Sequence, residues 1–166
     1  MKHASILVVA VAALVLGHGP AIGHEPQGSS TVMANLAHDA SAPALVVDAF
    51  HEALRTGSVA AALARLSEDA VIFESGGVER GKAEYASHHA PADAAFAQAV
   101  PSRTTRRAGQ VVGDLAWILT EGRTTGTYKG KPVDRVTTET MLLRRAEGVW
   151  RIVHIHWSSA AARSGT

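Results

Sequence analysis

Apolar residues recur at helical spacing in the first part of the folded chain. A helix is predicted to begin at Ser41, with Pro43 in its first turn, and to end at Gly57. Its apolar positions lie three or four residues apart, and polar residues occupy the opposite side. These apolar positions are Leu45, Val46, Ala49, Phe50, Ala53 and Leu54. Further helices are predicted over residues 59–66, from Lys82, and over 92–100 after Pro91.

The second half of the chain carries segments typical of strands, separated by glycine-containing turns. A short strand is also predicted between the helices, ending at the Ser75-Gly76-Gly77 turn. The predicted strands cover residues 70–74, 104–112, 115–128, 133–145 and 148–159. Helices followed by long antiparallel strands indicate an α+β fold, with the helices packed on one face of a curved sheet.

The last predicted strand carries two histidines, His154 and His156, that regular alternation places on one face. The same alternation adds Trp150, Ile152 and Ser158 to that face, and puts Trp157 on the other. Histidines beside Trp and Ile are typical of a pocket floor. We therefore expect His154→Ala and His156→Ala to disturb a cavity more than His51→Ala.

The N-terminal segment differs in composition from the rest of the chain. A short basic start with Lys2 precedes an uncharged apolar run, and small residues at 21–23 suit signal peptidase. The alternative, a membrane anchor, fits less well because the run is shorter than the roughly 20 residues that span a bilayer. We predict a signal peptide over 1–23, a flexible leader over 24–41, a domain over 42–159 and a tail over 160–166. The mature protein is expected to be secreted or periplasmic and not membrane-bound.

Charge and cysteine content narrow the expected partners. Loss of Lys2 with the signal peptide leaves 15 basic and 15 acidic residues, so no basic field favours nucleic acid. The chain has no cysteine, which excludes a disulfide framework and a lipid-modified cysteine.

Two segments resemble the NTF2-like superfamily. They are the entry into the first predicted strand, Leu-Ser-Glu-Asp-Ala-Val-Ile-Phe, and the closing Gly-x-Trp-Arg-Ile-Val-His-Ile-His-Trp-Ser. They are most similar to its SnoaL-like and DUF4440 branch and to the calcium/calmodulin-dependent kinase II association domain. The resemblance implies a cone, in which a bent antiparallel sheet wraps around the N-terminal helices and encloses a cavity. It also implies a homodimer across the outer face of the sheet, and places His154 and His156 at or near the cavity.

The superfamily includes isomerases, cyclases, hydrolases and non-catalytic domains, so the fold does not decide the function. An acid–base enzyme needs a base and an acid converging on its substrate. No such group is recognisable in the sequence among the candidates Glu74, Glu121, Glu139, Tyr85 and Tyr128. We expect an enzyme to hold a carboxylate or tyrosine with a shifted pKa in the cavity, a binder to lack one, and an assembly module to have a filled cone.

A metal site is a further alternative. Glu84 and His88 are neighbours at i and i+4 on a predicted helix, and His154 and His156 share a strand face. No complete ligand motif is present, so we predict no metal and no other cofactor.

The sequence on balance favours a pocket that binds a small, partly apolar molecule, with catalysis or pure assembly as alternatives. No catalytic residue is assigned. The predicted ligand-binding residues are Tyr85, His88, Trp117, Trp150, His154 and His156.

Overall fold

A computed structural model describes residues 34–36 and 40–163. The predicted signal peptide, most of the leader (24–33 and 37–39) and the end of the tail (164–166) lie outside these residues. Within the leader, however, Ala34–Leu36 forms a short strand, β1, that pairs in parallel with a strand of the domain. This part of the leader is therefore integrated into the sheet.

Four helices pack on one face of the sheet: α1 (Ser41–Arg55), α2 (Val59–Leu63), α3 (Lys82–His88) and α4 (Ala90–Ala99). The long first helix is confirmed, with Ala40 rather than Ser41 at the N-cap position and Gly57 just beyond the C-cap. Its buried stripe is rotated from the prediction, because Val47 is buried and Leu45 is 67% exposed. None of the helices in the described part of the chain is long and apolar enough to cross a membrane.

The remaining strands are β2 (Leu66–Glu74), β3 (Gly77–Arg80), β4 (Ser102–Val112), β5 (Leu115–Tyr128), β6 (Lys131–Ala146) and β7 (Val149–Ala161). They form one curved, unclosed sheet in the order β1-β4-β5-β6-β7-β2-β3. The α+β architecture is thus confirmed. Two pairings are parallel, β1 with β4 and β2 with β7, and the others are antiparallel. The sequence did not predict β3 and started β2 four residues too late.

The core lies between the inner face of the sheet and α1. Its largest fully buried side chains include Phe50, Tyr85, Ile118, Met141 and Ile155. Burial of each such aliphatic or aromatic side chain contributes about 1.5–3 kcal/mol to folding, which makes this the main source of stability.

A β-bulge in β7 changes which residues face the core. Leu143 pairs with Ile152 but Leu142 pairs with His154, so Val153 is an extra residue in the strand. Ile152 and Ile155 are consequently both buried. The prediction that Ile152 shares a face with His154 and His156 is therefore wrong, because regular alternation breaks at Val153.

Candidate functional site

A pocket of about 250 Å³ lies where the β2–β3 hairpin, the α3–α4 junction and β7 meet. Its walls combine apolar side chains with four acidic or histidine side chains, a composition typical of sites for small polar organic molecules. The lining residues are Ile72, Glu74, Ser75, Gly77, Val78, Glu79, Tyr85, His89, Asp93 and Trp157.

The centre of the pocket is a hydrogen bond between Tyr85 and Asp93. Tyr85, on α3, is fully buried, and its hydroxyl donates to Asp93 Oδ2 at 2.8 Å. Burial raises the pKa of Tyr85 far above its usual range, and the neighbouring Asp93 carboxylate raises it further. The phenol therefore stays protonated and acts as a fixed hydrogen-bond donor.

Two carboxyl groups of the pocket have raised pKa values. For Asp93, burial raises the pKa, while the Tyr85 hydrogen bond and the charge of His89 oppose this shift. Glu74 lies at the mouth of the pocket on the end of β2, where burial of its carboxyl and then repulsion from Asp93 raise the pKa, while the charge of His89 opposes the shift.

Glu79 on β3 supplies a third carboxylate and is only 6% exposed. Its Oε1 contacts His89 Nδ1, while its buried Oε2 has no hydrogen-bond partner among the residues that the structure describes. The exposed His88 imidazole approaches that second oxygen, with Nδ1 at 3.5 Å. Glu79 therefore lies between the pocket on one side and the surface of α3 on the other.

The indole of Trp157 forms one wall of the pocket, and a hydrogen bond to Glu139 holds it in place. Trp157 Nε1 donates to Glu139 Oε2 at 2.7 Å, and His51 Nε2 reaches the same oxygen at 2.7 Å. Burial of Glu139 opposes ionisation, but the charge and hydrogen bond of His51 and the bond from Trp157 outweigh it and lower its pKa. A buried, ionised carboxylate therefore fixes the orientation of the indole.

The predicted ligand-binding residues separate into four groups. Tyr85 lines the pocket, whereas His88 is exposed on the far side of Glu79. Trp150 packs at the edge of the core under the Arg145 guanidinium, 5.2 Å from its ring centre. Trp117, His154 and His156 lie on the outer face of the sheet.

The outer-face position of the two histidines follows from the bulge in β7. His154 Nδ1 donates to the Val71 carbonyl at 2.9 Å, and both imidazoles pack edge-on against Phe73. They therefore do not line the pocket. His51, which the sequence ranks below them for an effect on the cavity, instead supports the Trp157 wall through Glu139.

Sequence reasoning did not mark Glu79, His89 or Asp93 as pocket residues. It considered Glu74 only as one of several candidate acids, and it placed Trp157 on the strand face opposite the two histidines. One signal was present, because Tyr85, His89 and Asp93 follow one another at intervals of four, which is the spacing of one helical face. The break between α3 and α4 at His89 hid it. Trp157 was hidden by the bulge, which no local pattern announces.

A larger groove of about 510 Å³ is lined mainly by the start of β2, together with Ala64, Lys82, Arg144 and Arg151. Its basic side chains already have partners: Lys82 contacts Glu68, Arg144 binds Asp69 at 3.2 Å, and Arg151 donates to the Ala64 carbonyl at 2.8 Å. The groove therefore offers little free chemistry compared with the pocket around Asp93.

Comparison with known proteins identifies a matching family and similar solved structures. Residues 44–162 match the model of the SnoaL-like domain. The "putative ketosteroid isomerase" of Shewanella frigidimarina is 37% identical, over 74% of this chain and 99% of that one, with a TM-score of 0.70.

Two more distant structures show the same fold. The CaMKII hub of S. rosetta is 22% identical over 75% of this chain and 98% of that one, with a TM-score of 0.61. A "putative dehydratase from the NTF2-like family" of Streptomyces avermitilis is 19% identical over 75% and 97%, with a TM-score of 0.65. No curated protein matches the chain.

Proposed function

The chain belongs to the SnoaL-like domain family within the NTF2-like fold, and from this membership and the pocket we propose that it is an acid–base enzyme acting on a small organic molecule. The observation that carries the proposal is the Tyr85–Asp93 pair. It combines a locked phenol donor with a carboxylate whose pKa is raised, inside a pocket that holds a second carboxyl. The sequence favoured a binder, and these groups favour an enzyme instead.

The two carboxyl groups suit different roles. Asp93 keeps the Tyr85 hydrogen bond as a carboxylate, so we assign it as the general base. Burial and the Asp93 charge raise the pKa of Glu74, so we assign this second carboxyl as the general acid. Two carboxyl groups in different environments can divide acid and base work in this way.

The pocket limits the substrate to a small molecule. Its volume of about 250 Å³ lies just below the roughly 300–1,000 Å³ of sites for drug-sized ligands. Apolar contact from Ile72, Val78 and Trp157 suits a short carbon skeleton, and the acid–base pair suits a carbonyl compound with an acidic C–H. Proton transfer within such a compound is an isomerisation, the reaction class named for the Shewanella frigidimarina relative.

The test uses cyclohex-3-enone as the probe, because its isomerisation to the conjugated cyclohex-2-enone is followed by ultraviolet absorbance. Asp93 would remove a proton between the alkene and the carbonyl, and a proton would return to the far alkene carbon. We expect Asp93→Asn to lower kcat/KM by about 10²- to 10⁴-fold, the usual contribution of a general base. Glu74→Gln should lower kcat as well.

Glu121→Gln is the matched control, because it removes an exposed carboxylate that pairs with Arg106 away from the pocket. It should leave the rate unchanged. The enzyme assignment would be refuted if the Asp93→Asn variant turned over the probe as fast as the wild type. It would also be refuted if the wild type bound the probe without turnover, and that result would favour the binding role.

We also propose a homodimer formed across the outer face of the sheet. Phe73, Leu119 and Leu142 are each 40% exposed there, beside Trp117 and the two histidines. An apolar sheet face of this kind favours an isologous interface. Leu142→Glu should convert a dimer to a monomer in light scattering after size exclusion, whereas Leu45→Glu, on α1, should not. A dimer that survives Leu142→Glu would place the interface elsewhere.

Export remains a proposal that rests on the composition of residues 1–23. The intact mass of protein recovered from the secreted or periplasmic fraction tests it. A mass that corresponds to the uncleaved chain would contradict a cleaved signal peptide.

A further inference from the structure

We propose that Glu79, Glu84 and His88 form a binding site for a divalent transition-metal cation of the zinc class. The three residues lie where β3 passes into α3, on the side of Glu79 that faces away from His89. In the described part of the chain they are the only group of three histidine or carboxylate side chains whose ligand atoms all lie within 4.8 Å of one another. This site is separate from the acid–base pair of the pocket.

The distances match the requirements of a metal. Zinc binds imidazole nitrogen and carboxylate oxygen at about 2.0–2.2 Å, so two ligand atoms of a tetrahedral site lie roughly 3.3–3.6 Å apart. His88 Nδ1 and Glu79 Oε2 are 3.5 Å apart. That separation is too long for a strong hydrogen bond but suits two ligands of one ion.

Glu79 provides an independent indication of a ligand. Glu79 is only 6% exposed, yet within the described part of the chain its Oε2 has no hydrogen-bond partner. Buried polar atoms without partners are rare because each one costs desolvation free energy. This Oε2 is the atom that His88 Nδ1 approaches at 3.5 Å. A cation bound there would satisfy it.

Local sequence explains how the three side chains meet. Glu84 and His88 are separated by one helical turn on α3, so their side chains are neighbours. Gly81 joins β3 to α3 with φ of 128° and ψ of 153°, a conformation essentially restricted to glycine. The sharp turn brings Glu79 beside α3, and Arg80 N–H donates to Glu84 Oε2 at 2.5 Å, which orients that carboxylate.

The ligand set indicates the class of ion. Carboxylates alone suit magnesium or calcium, whereas a set that includes imidazole suits zinc and its first-row neighbours. Three protein ligands leave a fourth tetrahedral position for water or a ligand. His88 is 61% exposed, which gives the ion a path from solvent.

The sequence suggested a different ligand set, with His154 and His156 joining Glu84 and His88. The two strand histidines lie against Phe73 on the outer face and do not contribute. Glu79 is the third ligand instead. Its distance in sequence from Glu84 and His88 matches no helical or strand period, so the sequence did not indicate it. Because Glu79 also lines the pocket, an ion here would add positive charge beside that wall.

The test is equilibrium dialysis of the full chain against Zn²⁺, with Co²⁺ as a second probe because its visible absorption reports tetrahedral coordination. We expect one stoichiometric ion in the wild type. Glu84→Gln and His88→Ala should each weaken its binding by more than about tenfold, since even partners outside the first coordination sphere are worth 10- to 100-fold. Both substitutions are on the surface of α3 and should not prevent folding.

Glu121→Gln and His156→Ala are the matched controls for charge and residue type, and both should bind the ion as the wild type does. Absence of a stoichiometric ion in the wild type overturns the proposal. So does an ion retained with unchanged affinity in Glu84→Gln and His88→Ala, since it would then bind elsewhere on the chain. The measurement needs no substrate, so its outcome is independent of the enzyme assignment.

Discussion

Replacing Trp157 by Phe tests whether the buried Glu139 carboxylate holds the pocket wall. The change removes the indole N–H that donates to Glu139 Oε2 at 2.7 Å but keeps an aromatic ring against Phe50 and Tyr85. Glu139 is 8% exposed, so water has little access to replace the lost donor. A buried acceptor would be left with His51 as its remaining hydrogen-bond partner in the described structure.

The expected loss of stability follows from the kind of bond. A hydrogen bond to a charged group contributes about 1.5–3 kcal/mol, and the smaller ring removes roughly 1 kcal/mol of packing. Trp157→Phe should therefore lower the free energy of unfolding by about 2.5–4 kcal/mol. His51→Ala should cost less, about 0.5–1 kcal/mol, because the imidazole is 41% exposed and solvent screens its charge.

Urea denaturation followed by far-ultraviolet circular dichroism measures both changes, since tryptophan fluorescence would itself be altered. In a Glu139→Gln background the acceptor is neutral, and Trp157→Phe should cost about 1–2 kcal/mol less than in the wild type. Glu52→Gln, which alters an exposed ion pair on α1, serves as the control with an effect near zero. A Trp157→Phe variant within 0.5 kcal/mol of that control would show that the indole–carboxylate bond does not stabilise the wall.

Two further substitutions test features of the same region. Gly81→Ala should destabilise the protein by about 1–3 kcal/mol in thermal unfolding, because φ of 128° at this position is readily adopted only by glycine. Asp93→Asn should stabilise the protein by about 1 kcal/mol at neutral pH while it reduces activity. Burial raises the pKa of Asp93, so its ionised form costs folding free energy. That cost is present above the folded pKa and disappears as pH falls towards the ordinary value near 3.9; a constant difference between the two proteins across this range would contradict the shift.

The long elements were predictable because their signals are local. The apolar period of α1 and the strand-and-turn pattern around β5 give nearly correct boundaries without reference to the rest of the chain. The short strands β1 and β3 could not be predicted from local signals. Each is a strand because it pairs with another one, β1 with β4 and β3 with β2. Tertiary pairing, not propensity, decides such segments.

The site was harder to predict than the fold for a related reason. The extra residue Val153 moves every later side chain of β7 to the opposite face of the sheet. Trp157 therefore lines the pocket, and His154 and His156 lie on the outer face. The carboxylates were visible in the sequence, but their burial and their pairing depend on the α3–α4 junction. Composition cannot report either property.

The parallel pairing of β2 with β7 also has a consequence for how the protein folds. Val71 pairs with His154, 83 residues further along the chain, so this edge of the sheet forms only by closing a very long loop. Non-local pairings of this kind are slow, and they expose unpaired strand edges until they form. The β2 edge can pair with β7 only after the last strand has been synthesised. The pocket, which takes one wall from Trp157 of β7, is therefore complete only when that pairing has formed.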